Sequence, residues 1–191
     1  YLEQANRLDP LDSNAQRYLG IQLGHLRRYD EAIHHLLEAN RLAPAGESPG
    51  DWTLGRLYPY VGRATEAVKI AELRVERSHA SPTALRNWRL LLGWAYARAG
   101  RSEQGRQLLT ELESGAGSLT VQYLMAVVAA ALGEHERALR HLEIWYAEDP
   151  SGLPGDLDWE WWDPLRSEPR FQALEAKVKR RMEEKLAAAA P

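Results

Sequence analysis

Six histidines, pairs of carboxylates and a run of tryptophans are the side chains of this 191-residue sequence that could do chemistry. A helical zinc site needs two imidazoles one turn apart, at i and i+4, so that both face one ion. His34 and His35 are neighbours, which turns them about 100° apart on a helix, and His135 and His141 are six residues apart. Neither pair has ligand spacing. His135-Glu136 opens like a zincin but lacks the second histidine. No P-loop, no Gly-x-Ser-x-Gly elbow and no dinucleotide fingerprint is present, and no nucleophile, base and orienting group recur at a spacing that would assemble them. The reading is therefore of a protein that is not an enzyme, with no metal and no cofactor. Glu183-Glu184 could pass for paired acids, but Lys177, Lys179, Arg180, Arg181 and Lys185 share the stretch. It reads as a solvated helix face with i,i+4 pairs, and its mixed signs argue against a membrane-surface helix.

The tryptophans of Trp159-Glu160-Trp161-Trp162 are the other conspicuous group. Burying an aromatic side chain removes about 150–250 Å² from water, so the cluster is expected to anchor a cap against the helices before it. A ligand-facing role is the alternative.

The elements that must carry these residues show a repeat. Gly20 and Ala32, Gly55 and Ala67, Gly93 and Gly105, and Ala126 and Ala138 are each separated by 12 residues, and the copies are offset by 35, 38 and 33. A small residue at a fixed offset lets one helix backbone pass close to another, so the pattern predicts helical hairpins. A further echo of 34 residues relates Ala5-Asn6-Arg7-Leu8-Asp9-Pro10 to Ala39-Asn40-Arg41-Leu42-Ala43-Pro44. The apolar residues Leu19, Leu23 and Leu26, then Ala32, Leu36 and Ala39, follow the helical period. Arg27-Arg28-Tyr29-Asp30 is a polar turn, and later turns fall at Gly62-Arg63, Gly100-Arg101 and Gly133-Glu134. Helices are predicted over residues 12–26, 29–42, 49–61, 64–78, 82–98, 102–113, 118–132 and 135–147. Pro59 should disturb the third near Leu57, and residues 45–50 and 114–118 read as flexible linkers.

Leu19-Gly20 with Leu23, Leu54-Gly55 with Tyr58, and Leu92-Gly93 with Tyr96, followed by Ala32 with Leu36, Ala138 with Leu142, then Pro44 and Pro150, resemble the tetratricopeptide repeat pattern over residues 1–150. The family's tryptophan three residues before the leucine is Gln16, Asp51 and Arg89 here, and the second repeat has Ala71 and Arg74 where bulkier and smaller residues are usual. The resemblance implies an all-α fold, a right-handed helical-hairpin solenoid closed by a C-terminal capping helix. It also implies that the first helix of each pair lines a concave groove, which by register gives Asn14, Arg17, Tyr18, Ile21 and His25; Trp52, Arg56 and Tyr60; Asn87, Leu90, Leu91, Trp94 and Arg98; and Tyr123, Leu124 and Val127. Aromatic and aliphatic side chains alternate there with arginines. Such a lining suits a protein or peptide partner with apolar anchors and a few carboxylates. It does not match the lysine- and asparagine-rich clamp of chaperone-binding members.

The expected function is thus a protein-interaction module that binds a partner polypeptide, or another domain of its own chain, in the groove. The alternative is a regulatory or sensory arm that takes a small ligand there. Filling of the groove by the C-terminal segment or a neighbouring repeat is the competing expectation. The segment from Trp162-Asp163-Pro164-Leu165 through Phe171-Gln172-Ala173-Leu174 resembles the closing motif of bacterial multidomain regulators of the adenylate cyclase-like, kinase and winged-helix types, which implies a signalling context.

Three parts are expected along the chain: residues 1–10 as the second helix of a truncated repeat, 11–150 as four hairpins, and 151–191 as a tryptophan-rich turn and capping helix. Ser167 is the expected N-cap of that last helix, whose stripe is Phe171, Leu174, Val178, Met182 and Leu186. The unpartnered stripe Leu2, Ala5 and Leu8, with no initiating Met, predicts a chain that continues upstream and could self-associate through that stripe as a homo-oligomer. With 24 Lys and Arg against 27 Asp and Glu, the net charge of −3 argues against nucleic acid as a direct partner. No run of 18 apolar residues and no signal peptide is visible, so the expectation is a cytoplasmic protein without a membrane span. The absence of Cys removes disulfides and thiolate metal sites.

Overall fold

The computed structural model describes residues 11–78, 81–115, 119–148, 157 and 160–189, and among them every regular element is helical. The helices are α1 (Ser13–His25), α2 (Tyr29–Leu42), α3 (Asp51–Leu57), α4 (Ala64–Arg77), α5 (Pro82–Arg98), α6 (Ser102–Glu113), α7 (Leu119–Ala131), α8 (His135–Glu148) and α9 (Pro169–Ala189), with 3-10 turns at Tyr58–Val61 and Glu160–Leu165. The expected helix half over residues 1–8, residues 151–155, Trp159 and the side chains of Met182 and Leu186 lie outside the described residues.

Local chemistry sets these bounds. Asp12 caps α1 by accepting from the Asn14 N–H at 2.8 Å, and the Ser81 hydroxyl accepts from the Ala84 N–H at the head of α5, where Pro82 occupies the first turn. The expected helix over residues 49–61 is instead α3 plus the 3-10 turn: proline at 59 supplies no N–H, so the α pattern stops at Leu57 and tightens. The cap of α9 is Glu168, one residue later than expected, because its carbonyl accepts the Gln172 N–H.

All four hairpins turn by one device. Gly62, Gly100 and Gly133 have φ of 75°, 78° and 75°. The N–H of the next residue returns to the carbonyl five residues back, as in Arg63 to Tyr58 at 2.8 Å and Arg101 to Tyr96 at 2.8 Å. The first hairpin closes identically, Arg28 N–H to Leu23 carbonyl at 2.9 Å, but the left-handed residue is Arg27 with φ 59°.

The chain divides into two compact units, Tyr1–Ala80 and Ser81–Pro191. In unit 1, α1 packs on α2 and α3 on α4. A Cβ added to Gly20 would lie 2.6 Å from Leu36 Cγ and 3.0 Å from the Ala32 carbonyl oxygen, so the two helices are as close as the 12-residue spacing requires. In unit 2, α5 packs on α6 and α7, and α7 on α8. A Cβ on Gly105 would stand 3.1 Å from the Gly93 carbonyl oxygen, and Ala126 and Ala138 are wholly buried.

The linker at 45–50, flexible by composition, is held at its far end. The Asn40 side-chain oxygen accepts the Gly50 N–H at 2.7 Å, and Arg74 donates to the Ser48 carbonyl at 3.3 Å. Gly50 sits so close to α2 that a Cβ there would be 2.6 Å from the Leu36 carbonyl oxygen.

Candidate interaction surface

Counting from the small residue of each first helix, the fourth position before it is where the tetratricopeptide pattern has tryptophan. Here that position is polar in every hairpin, and each polar group bonds to the second helix. Gln16 Oε1 lies 2.6 Å from His35 Nδ1, and Gln122 Oε1 lies 2.7 Å from His141 Nδ1. Both pairs are 19 residues apart, so the signal was present in the sequence as a second fixed spacing. Asp51, buried, accepts from Arg74 Nε at 2.7 Å and from Asn40 Nδ2 at 2.7 Å. Arg89 pairs with Glu111.

These contacts explain the histidines. His35 is engaged across its hairpin, and burial, reinforced by the charge of His34, pushes its pKa down against the opposing pull of Glu31 and Glu38. His141 is buried between Gln122 and Glu113, whose Oε1 lies 2.7 Å from Nε2. The Arg137 guanidinium donates to both carboxylate oxygens of Glu113, at 2.8 Å and 2.6 Å. That hydrogen bonding, with His141 adding to it, holds the Glu113 carboxyl below its usual range despite burial, and the Arg137 pKa moves up in turn. Among the described residues no group of three or more His, Cys, Asp or Glu side chains is placed to hold a metal ion.

The candidate lining residues fall differently in the two units. In unit 1, Asn14, Tyr18 and His25 are exposed, while Arg17, Ile21, Trp52, Arg56 and Tyr60 are half-buried. Tyr18 is 48% exposed, with the Arg17 guanidinium 4.3 Å from its ring centre. Tyr60 stacks on Tyr29 at 5.4 Å between centroids. The ends of α1 and α3 meet where Gly24 faces Leu57, whose Cδ1 would be 3.3 Å from an added Cβ. Unit 1 thus presents a mixed aromatic and arginine surface on its first helices.

In unit 2 the same register positions are largely spent on packing. Leu90 is 1% and Trp94 2% exposed, and Leu91, Tyr123 and Val127 are also buried. Only Asn87, Leu124 and Arg98 among the lining candidates of this unit keep surface. A partner reaching this face would meet little of the expected lining, because the chain covers it. Tyr123 lies 5.5 Å from Trp145, 6.1 Å from Trp161 and 5.4 Å from Trp162, centroid to centroid, and Trp162 reaches Phe171 of α9 at 6.0 Å.

The turn Glu160–Leu165 therefore seats its tryptophans on α7 and carries α9 with it. Trp162, Leu165 and Phe171 are wholly buried. Arg170 clamps the start of α9 to α8 by donating to Glu143 at 2.9 Å and to Glu136 at 2.6 Å. His135 Nδ1 lies 2.9 Å from Glu168 Oε1. Packing, the first of the two roles expected for the tryptophan cluster, describes Trp161 and Trp162.

A concavity of about 190 Å³ in unit 2 is lined by Pro82, Leu85, Arg86, Arg89, Glu111 and Leu112, with Gly115 at its edge. Drug-sized ligands occupy roughly 300–1,000 Å³, so this site is too small for most of them. No helix among the described residues is long and apolar enough to cross a membrane.

No family model matches the chain, and no curated protein matches it. Among solved structures it is similar to "MamA MSR-1 C2", at 18% identity and a TM-score of 0.41, over 91% of this chain and 98% of the other. It is similar in the same degree to "MamA AMB-1 P212121", again 18% identical with a TM-score of 0.41, over 94% and 98%. A likeness at that level of superposition says nothing about what this chain binds.

Proposed function

We propose that this chain is a protein-interaction module whose recognition face is built by α1 and α3 of unit 1 and binds a partner polypeptide or another domain of the same chain. The observation that carries it is the contrast between the units. Register positions that are buried in unit 2, Tyr123 among them under the tryptophan turn, are half-exposed in unit 1, where they are Arg17, Ile21, Trp52 and Arg56. Tyrosine, tryptophan and arginine are the side chains that most often dominate binding energy at protein interfaces. The resemblance of residues 162–174 to the closing motif of bacterial regulators supports a signalling setting for the module, with the partner or the rest of such a chain docking on unit 1.

Selection of random 12- to 15-residue peptides against the whole chain tests the face. Peptides so obtained should lose tenfold or more in affinity, about 1.4 kcal/mol, on Trp52→Ala or Tyr60→Ala. They should be unaffected by Leu37→Ala on the second helix α2. Equal affinity for all three variants refutes the assignment.

A further inference from the structure

At its mouth, opposite the turn, a hairpin brings together the seventh residue before the small residue of its first helix and the seventh after that of its second. In the first hairpin these are Ser13 and Ala39, and the Ser13 hydroxyl donates to the Ala39 carbonyl at 2.9 Å. In the second they are Ser48 and Arg74, and Arg74 donates to the Ser48 carbonyl at 3.3 Å. Both mouths are tied across the hairpin. In the third the pair is Arg86 and Leu112, no such bond joins them, and the concavity of about 190 Å³ lies there. The Leu112 carbonyl is taken by the Gly115 N–H at 3.3 Å. Arg86, half-buried, makes no hydrogen bond or ion pair among the described residues. Arg89, on the same face of α5, bonds one oxygen of Glu111, whose other oxygen accepts from Gln107 Nε2 at 3.1 Å.

We infer that the mouth of the third hairpin binds a free short-chain aliphatic acid, a single carboxylate on an apolar stem of a few carbons. Arg89 offsets the charge of Glu111, which leaves Arg86 as the cation of the site with no counterion among the described residues. A guanidinium fork takes a carboxylate by two parallel hydrogen bonds, and with five N–H donors Arg89 can add a further bond while keeping Glu111. Pro82, Leu85 and the buried Leu112 supply the apolar lining that removes the stem from water. An apolar cavity of about 150 Å³ holds a benzene ring, so this concavity has room for a stem of that size with its carboxylate and for little more. Inorganic phosphate would leave the apolar lining unused. An α-amino acid or the end of a polypeptide would bring an N–H beside the carboxylate. The nearest acceptor for it is Glu111, both of whose oxygens are already engaged, so that donor would be desolvated without a partner. The site lies wholly within unit 2 and is independent of the face proposed on unit 1.

The test titrates 4-methylpentanoate into the whole ¹⁵N-labelled chain and follows backbone amide shifts. A ligand of about eight non-hydrogen atoms reaches a Kd in the high-micromolar to millimolar range. Saturable shifts centred on residues 82–89 and 107–115 are expected. Affinity should fall about fivefold or more for 4-methylpentanamide, which keeps the shape and loses the charge, and for formate, which keeps the charge and loses the stem. Arg86→Gln should lower it by a similar factor at unchanged melting temperature, because that side chain holds no bond in the fold. Should the melting temperature move, the amide and formate comparisons on the unaltered chain decide the matter. No saturable shift, shifts centred elsewhere, or equal binding of the amide or of formate would overturn the inference. So would equal binding to a normally folded Arg86→Gln. N-acetyl-Gly-Gly-Leu is expected to bind more weakly than the free acid; tighter binding would give the site to a polypeptide terminus and overturn the free acid as its ligand.

Discussion

At the scale of single residues, two departures from the repeat pattern turn out to answer each other. Asp51 stands where tryptophan is usual and Arg74 where a small residue is usual, and the structure joins them at 2.7 Å in a largely buried pair that also holds Asn40. Arg74→Met should therefore cost about 3 kcal/mol, since it strands a buried carboxylate, and adding Asp51→Asn should recover part of the loss; urea unfolding of the three variants checks this. Arg27 is a non-glycine residue at φ 59° in a position its three counterparts fill with glycine. Arg27→Gly is expected to stabilise unit 1 by about 1 kcal/mol by relieving left-handed strain, and a fall in melting temperature would contradict it. His35 gives a pH dependence. Its folded pKa lies below the ordinary 6.5, so the unfolded chain binds the proton more readily, and stability falls as pH drops from about 6.5 through the folded value. A His35→Gln variant should lose that slope. Glu113 works in a lower window, its contribution present above 4.5 and lost as pH falls below it.

At the scale of elements, the helices were legible because the hairpins repeat their punctuation: a small residue, a polar start and, in three of the four, a turn glycine. The bounds of α2, α5 and α6 follow the periodicity residue for residue, and Pro59 marks the end of α3 where its missing N–H must. What sequence could not give was which side chains on a first helix keep their surface. Leu90 and Trp94 occupy the same register columns as Trp52 and Arg56, and only the three-dimensional packing of unit 2 separates buried from accessible. The hold on the linker at 45–50 is hidden for a similar reason, since its composition does not reveal that Asn40 and Arg74 bond to its backbone. The close approach of Gly50 to the Leu36 carbonyl oxygen makes Gly50→Ala a test: a Cβ at 2.6 Å from backbone cannot be accommodated by a rotamer change. A loss of about 1–3 kcal/mol is expected in chemical denaturation. For the closing turn, Trp162→Ala removes a wholly buried side chain and should cost about 3–5 kcal/mol. Increased amide exchange in α9 and α7, with α1 to α4 unchanged, would show that the turn serves unit 2.

At the scale of the molecule, two units built from one hairpin plan have used their first helices differently. Unit 2 covers α7 with its own aromatic turn, and unit 1 leaves Arg17, Trp52 and Arg56 half-exposed and Tyr18 exposed on α1 and α3, with Tyr60 half-exposed in the turn after α3. That difference underlies the proposed division between a closed packing unit and a recognising one. The most direct measurement is the hydrogen-exchange footprint of the whole chain with a selected peptide bound at saturation. Slowed exchange confined to residues 13–25 and 51–61 is the result expected; protection centred on residues 119–148, with 13–61 unchanged, would contradict it.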